Sequence, residues 1–140
     1  MERTEVNITI NTSAENVWGV ISQFSGIEKY VPVIENSVGK GKGEGMERMC
    51  TMGNGASFDE TLLKLDHQNM ELQYDVHDPS PLPFSKYLGT MKVTPVDSNS
   101  CEVSWNCTYQ VDSGTVEEAD GMLTEIFTSG IEGLGELNYE

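Results

Sequence analysis

Polar and apolar residues alternate along much of the chain, and a period of two predicts β-strands with one buried and one exposed face. The clearest alternation runs through Cys101, Val103, Trp105, Cys107 and Tyr109. Because the opposite face of each such strand is polar, the pattern favours an antiparallel sheet. The predicted strands are 6–10, 34–39, 46–52, 57–65, 70–76, 87–96 and 101–111.

Two short helical segments are predicted between the first and second strands. Thr12 and Glu15 have the spacing of a capping box, with Thr12 as the N-cap of a helix that ends near Ile21. A second helical turn is expected within 24–30, because Pro32 disfavours helical backbone in the residue before it.

A long C-terminal helix is predicted from about Thr115 to Leu137, with Met122, Ile126 and Phe127 on its apolar face. The order of elements therefore indicates an α+β fold in which this helix covers a curved sheet, and the chain is expected to form one domain, 1–140. Curvature holds the middle of a sheet away from its cover. We therefore expect an apolar cavity of roughly 300 Å³ or more. Its mouth is expected among the Gly39–Gly45 loop, the Asp78–Phe84 loop and the start of the helix.

Several local sequences occur in an order that resembles the START-like superfamily (SRPBCC), in particular its polyketide cyclase/dehydratase-like branch. The resemblance covers essentially the whole chain. It implies a helix-grip fold, in which a seven-stranded curved antiparallel sheet surrounds the C-terminal helix, with two short helices between strands 1 and 2. Members bind lipids, hormones, quinones or polyketides and only some are enzymes, so no single activity is implied. The segments that carry the resemblance are 13–18, 43–48, 55–62, Asp66, 81–83, 87–90 and 103–105.

Two opposite charges, Arg48 and Glu60, interrupt the apolar faces of neighbouring strands. The turn Gly53–Gly55 makes these strands a hairpin, so both side chains are expected to face inward and to approach each other. Similar residues occupy matching positions in the resembled family. The pair is interpreted either as a structural ion pair or as a polar anchor for a ligand's carbonyl, phenolate or carboxylate group.

Aromatic and methionine side chains with inward parity are expected to form the cavity wall, because small-molecule sites combine apolar walls with few polar groups. Met46 is expected among them. Together with Arg48 and Glu60, the predicted ligand-binding residues are Tyr74, Tyr87, Met91, Trp105, Met122 and Phe127.

No catalytic residue, metal site or cofactor is predicted. His67 and His77 lack a second ligand at metal-binding spacing and are expected to be solvated. The three cysteines form no C-x-x-C motif, and we expect them to be reduced and inert. Serine residues show no nucleophile motif.

The protein is strongly acidic, with a formal net charge of −15 and only 8 Lys and Arg residues. Nucleic acid is not expected as a partner, because phosphate binding needs a basic surface. No apolar run approaches the length of a membrane span, and no secretory signal is recognised, so a cytoplasmic protein without membrane insertion is expected. A monomer or weak homodimer is expected.

These observations favour the binding or transport of a small hydrophobic or aromatic molecule, such as a lipid, quinone or polyketide-like compound. One alternative is an enzyme of the polyketide cyclase/dehydratase type, but Arg48 would hold Glu60 in its charged form and make it a poor acid. A second alternative is a protein-interaction module with a vestigial cavity, which would show a filled core and a large exposed apolar patch.

Overall fold

The computed structural model describes residues 1–139, and Glu140, the last residue of the predicted domain, lies outside them. The elements follow one another in the predicted order, with a 3-10 turn, Ile27–Lys29, after the first helix. The strands are β1 Glu2–Ile10, β2 Ile34–Lys40, β3 Glu47–Met52, β4 Ser57–Asp66, β5 Glu71–Val76, β6 Phe84–Asp97 and β7 Ser100–Val111. The helices are α1 Ala14–Ile21 and α2 Val116–Glu136.

All seven strands form one antiparallel sheet in the order β1-β7-β6-β5-β4-β3-β2. Bulges interrupt the pairing, among them one between Leu62 and Lys64 in β4 and one between Ser85 and Leu88 in β6. A bulge bends its strand and increases the local twist, so the sheet curves around α2. The predicted α+β helix-grip fold, with a seven-stranded sheet and a long C-terminal helix, is confirmed.

Helix α1 begins one residue later than its sequence pattern predicts. Its N-cap is Ser13, whose hydroxyl accepts a hydrogen bond from the backbone N–H of Asn16 at 3.2 Å. The prediction that Thr12 caps this helix is wrong, and Thr12 instead accepts from the side-chain amide of Asn16. Both hydroxyls can cap a helix, and the extended backbone of Ser13 decides between them.

Helix α2 starts with a complete capping box, in which Thr115 and Glu118 each bond the other's backbone N–H. Its face toward the sheet is centred on Leu123, Phe127 and Ile131, all of which are buried. Met122 and Ile126, predicted to lie on the same face as Phe127, are half-buried at its edge.

Glycine residues in the C-terminal half of α2 allow neighbouring segments to approach the helix closely. A β-carbon at Gly130 would lie 2.8 Å from the ring of Trp105, and one at Gly135 would lie 3.3 Å from Ile10. The Trp105 and Phe127 rings stack at 4.5 Å between centroids. The C-terminal half of α2 is therefore closely packed, whereas its N-terminal half crosses the end of the sheet that holds the candidate site.

Candidate functional site

An apolar cavity lies between the inner face of the sheet and α2, at the end of the sheet where the 53–56 turn joins β3 to β4. Its walls are almost entirely apolar. The structure brings six of the eight predicted ligand-binding residues to this cavity: Glu60, Tyr74, Tyr87, Trp105, Met122 and Phe127.

The structure does not place Arg48 or Met91 on the cavity wall. Arg48 lies behind Glu60, and Met91 is fully buried in β6 between its strand partners Leu72 and Trp105. Met46 is also absent from the wall, because it precedes β3 at the opposite end of that strand. The alternation of a strand predicts which side chains face inward, but not which of them lie at the end of the sheet that holds the cavity.

The cavity volume is about 60 Å³, which corrects the expectation of 300 Å³ or more. Such a space is well below the roughly 300–1,000 Å³ of small-molecule sites. Side chains from both layers fill the rest of the gap, among them Phe58 and Leu82 from the sheet side and Met122 and Ile126 from α2. All four are only half-buried.

The mouth of the cavity is formed partly by the predicted segments. Leu82 in the β5–β6 loop and Met122 near the start of α2 both contribute, as expected. The Gly39–Gly45 segment does not, and Val33 and Met52 take its place. The physical reason is that successive turns of an antiparallel sheet lie at opposite ends, so the β2–β3 connection is a strand length away from the β3–β4 turn.

The predicted ion pair forms on the buried face of the β3–β4 hairpin. Arg48 and Glu60 are direct cross-strand partners, and Arg48 Nε donates to Glu60 Oε1 at 2.5 Å. Arg48 Nη1 donates to the backbone carbonyl of Phe24 at 2.6 Å, where Phe24 has a left-handed φ of 64°. The arginine side chain thus ties the α1–β2 connection to the sheet.

Arg48 is enclosed on all sides and is 2% exposed. Its guanidinium carbon lies 3.8 Å from the centroid of the Phe24 ring, a cation–π contact. Burial lowers the pKa of Arg48 and the Glu60 carboxylate raises it, and the net pKa is above its ordinary value. Arg48 therefore stays charged, with its guanidinium turned away from the cavity.

Glu60 presents one oxygen to the ion pair and keeps the other unpaired. Oε1 accepts from Arg48 and also from the Cys50 thiol at 3.6 Å. Oε2 makes no hydrogen bond within the protein. Oε2 is nevertheless not fully buried, because the only fully buried side-chain polar atom without a partner among residues 1–139 is Arg48 Nη2. Oε2 therefore retains accessible surface, and Glu60 lines the cavity.

Three aromatic residues bond to one another through their polar atoms at the cavity wall. Trp105 Nε1 donates to the Tyr74 hydroxyl at 2.9 Å, and the hydroxyls of Tyr74 and Tyr87 are 2.6 Å apart. An indole nitrogen can only donate, so the Tyr74 oxygen accepts. Burial raises the pKa of both phenols, so both remain protonated at neutral pH.

The remaining chemically reactive groups are either inert or distant from the cavity. Burial raises the pKa of the Cys50 thiol to about 12, which keeps it in the less nucleophilic form. His67, expected to be solvated, is exposed but accepts a hydrogen bond from Trp18 Nε1 at 3.0 Å. His77 bonds Thr61, and neither histidine lines the cavity.

Residues 1–139 contain no grouping of His, Cys, Asp and Glu arranged to hold a metal ion. Neither helix in that range combines the length and apolar character needed to cross a bilayer.

Comparison with known proteins identifies a family and several structural relatives. A family model described as "Polyketide cyclase / dehydrase and lipid transport" matches residues 1–137. No protein of curated function matches the sequence significantly. The structure is similar to that of the protein XoxI from Bacillus cereus, with a TM-score of 0.88 and 26% sequence identity. The alignment covers 97% of this chain and 94% of that one.

Two enzymes have a similar fold at lower identity. The Zhui aromatase/cyclase from Streptomyces sp. R1128 is 15% identical with a TM-score of 0.78, over 95% of this chain and 90% of that one. Norcoclaurine synthase from Thalictrum flavum, in complex with dopamine and hydroxybenzaldehyde, is 16% identical with a TM-score of 0.76, over 96% and 84%. At this level of identity the likeness shows the fold alone.

Proposed function

The chain belongs to the polyketide cyclase/dehydrase and lipid transport family, and from that membership we propose that it binds a small hydrophobic or aromatic molecule between the sheet and α2. The observation that carries the proposal is an apolar cavity that opens at one end of the sheet and has the Glu60 carboxylate on its wall, with Oε2 unpaired. Apolar walls with few polar groups are typical of small-molecule sites.

A ligand that needs a site of roughly 300 Å³ or more must displace side chains at the mouth. The residues there suit such a change, because Met52 and Met122 are unbranched and Leu82 and Ile126 are half-buried. These side chains can turn toward solvent without breaking a hydrogen bond. The closed cavity is then the ligand-free form of a site that widens on binding.

Catalysis of the cyclase/dehydratase kind is the alternative, and the chemistry of the wall gives it less support. General acid–base catalysis works best with a group that titrates near the working pH. The Tyr74 and Tyr87 phenols have raised pKa values, and the Glu60 carboxylate is hydrogen-bonded to Arg48. None of the three is therefore well suited to exchange a proton with a ligand. Two structural neighbours are enzymes by name, but a shared fold does not transfer an activity.

The small volume also fits the third interpretation, a protein-interaction module with a vestigial cavity. Binding of a neutral fluorescent probe, N-phenyl-1-naphthylamine, distinguishes a ligand carrier from an interaction module. Only an accessible cavity gives saturable enhancement of the probe's emission. A neutral probe is needed because the protein carries a net charge of −15.

The matched variants are Ile126→Trp at the mouth and Val96→Trp at an exposed site in β6. The indole of Ile126→Trp should occupy the mouth, so that a bound probe is overpacked against it by about 1–3 kcal/mol, which is about tenfold or more in affinity. Val96→Trp should leave probe binding unchanged. Failure of the wild-type protein to bind any apolar probe would sink the carrier proposal in favour of the interaction module.

A further inference from the structure

We propose that the cavity selects apolar molecules that present an uncharged hydroxyl group, a phenol or an alcohol, to Glu60 Oε2. This inference rests on the proposed function and specifies its ligand class. It reverses the expectation from the sequence, in which Arg48 anchors a carbonyl, phenolate or carboxylate, because the structure turns the carboxylate and not the guanidinium toward the cavity.

The cavity wall offers few hydrogen-bonding groups to a ligand. The Trp105 N–H is already used by Tyr74, and the bond between the two tyrosine hydroxyls engages one of their two O–H donors. Glu60 Oε2 is a carboxylate oxygen without a protein donor. An ionised carboxylate can only accept, so its complement on a ligand is an O–H or N–H group.

The charges around the cavity disfavour anionic ligands. The cavity wall contains no Lys, Arg or His side chain. The nearest cation, Arg48, is covered by the Phe24 ring and bonded to Glu60 and to the Phe24 carbonyl. A ligand carboxylate would therefore meet the negative charge of Glu60 across an apolar space, and an unpaired buried charge is expensive.

The ion pair also favours a ligand hydroxyl over an ammonium group. Arg48 already balances the charge of Glu60 at 2.5 Å. A second cation beside this pair would leave one uncompensated positive charge within apolar walls. A hydroxyl group donates a hydrogen bond to Oε2 without adding charge, so it is the donor that this site accommodates.

The test uses four ligands with one ring system: 2-naphthol, 2-methylnaphthalene, 2-naphthoate and 2-naphthylmethylamine. Each competes with N-phenyl-1-naphthylamine at neutral pH, where 2-naphthol is uncharged. A hydrogen bond to a charged group strengthens binding by about tenfold or more over the methyl compound. We expect 2-naphthol to bind most tightly and the carboxylate and the amine to bind more weakly than the methyl compound.

The variant Arg48→Met/Glu60→Leu removes both charges together, and we expect it to bind 2-naphthol and 2-methylnaphthalene with similar affinity. Glu47→Gln, an exposed carboxylate next to Arg48 in β3, is the matched control and should keep the preference. If the double variant does not fold, the order of affinities of the wild-type protein for the four ligands tests the proposed hydroxyl selection.

The outcomes separate the two proposals. Probe binding without a preference for 2-naphthol overturns the hydroxyl selection and leaves the carrier function standing. Tighter binding of the amine or the carboxylate overturns it as well, as does a preference that persists in a folded double variant. If the wild type binds neither the fluorescent probe nor any of the four ligands, the proposed function itself is wrong.

Discussion

Gly133 of α2 faces Tyr30 so closely that a β-carbon at Gly133 would overlap the backbone carbonyl of Tyr30. The atom in the way belongs to the backbone, so it cannot turn aside as a side chain can. Gly133→Ala should therefore lower the free energy of unfolding by about 1–3 kcal/mol, despite the better helix propensity of alanine.

The matched control for this substitution is Gly121→Ala in the same helix. Gly121 has no atom within 4 Å of a β-carbon position and is exposed, so the change should stabilise the protein by up to about 1 kcal/mol. Urea unfolding of both variants gives the comparison. Equal effects of the two substitutions would show that the contact with Tyr30 is not close.

The buried ion pair predicts a strongly non-additive double-mutant cycle. Arg48→Met leaves the Glu60 carboxylate buried without its counter-charge and should cost about 3–5 kcal/mol. Adding Glu60→Leu removes that charge, so the double variant should be more stable than the Arg48→Met single variant. The cycle is measured by urea unfolding of all four proteins. Additive losses would contradict the 2.5 Å contact between the two side chains.

Burial of thiols and phenols predicts that stability falls at alkaline pH. Burial raises the pKa of Cys50 and Cys107 from 9.0 to about 12, and that of Tyr30 from 10.0 to about 12. The native state then holds protons that the unfolded chain releases. This contribution to stability is fully present below pH 9 and is lost as the pH rises toward 12.

Urea unfolding at a series of pH values measures this loss directly. Absorbance of tyrosinate should appear together with unfolding rather than before it. A free energy of unfolding that stays constant between pH 9 and 12 would mean that these groups are accessible in the native protein.

A directional hydrogen-bond relay joins β1 to the first turns of α2. Thr4 Oγ1 donates to Asp120 Oδ1 at 2.7 Å, so the Tyr109 hydroxyl, 2.8 Å away, must donate to Thr4. Thr4→Val should cost about 1–3 kcal/mol, because it leaves the buried Tyr109 hydroxyl unpaired. Thr9→Val, at an exposed position of the same strand, is the control. Similar thermal shifts in the two variants would argue against the relay.

The cysteine thiols are predicted to react slowly with a bulky disulfide reagent. Cys50, Cys101 and Cys107 are free and at most 1% exposed. Labelling should therefore follow opening of the structure. Cys50 lines the cavity and should be protected further by a bound apolar ligand, whereas Cys101, which does not line it, should not respond. Rapid labelling of Cys107 would contradict the burial of its thiol in the native protein.

The sheet and its cover could be predicted because alternation and helical periodicity are properties of neighbouring residues. The approach of Arg48 to Glu60 followed from the same reasoning, since a tight turn fixes the register of a hairpin. Which of the two faces the cavity could not be predicted. That depends on the Phe24 carbonyl, which lies 24 residues before Arg48 and draws the guanidinium away from the cavity.

The size of the cavity could not be predicted from the sequence, for a related reason. Curvature predicts a gap, but its volume depends on how Phe58, Leu82 and Ile126 turn into it, and rotamers respond to all surrounding atoms. The position of the mouth was predictable in principle. Each antiparallel strand reverses direction, so counting strands places the Gly39–Gly45 segment at the far end from Met52.

The uneven distribution of glycine along α2 has a consequence for the timing of amide hydrogen exchange. Gly130, Gly133 and Gly135 hold the C-terminal half of the helix against Trp105, Tyr30 and Ile10, while the half before Phe127 lies over the cavity. Backbone amides in 128–136 should exchange slowly and those in 119–126 faster, because local opening follows packing. One continuous helix would then consist of a fixed segment and a segment that opens independently, so entry to the cavity would not require global unfolding.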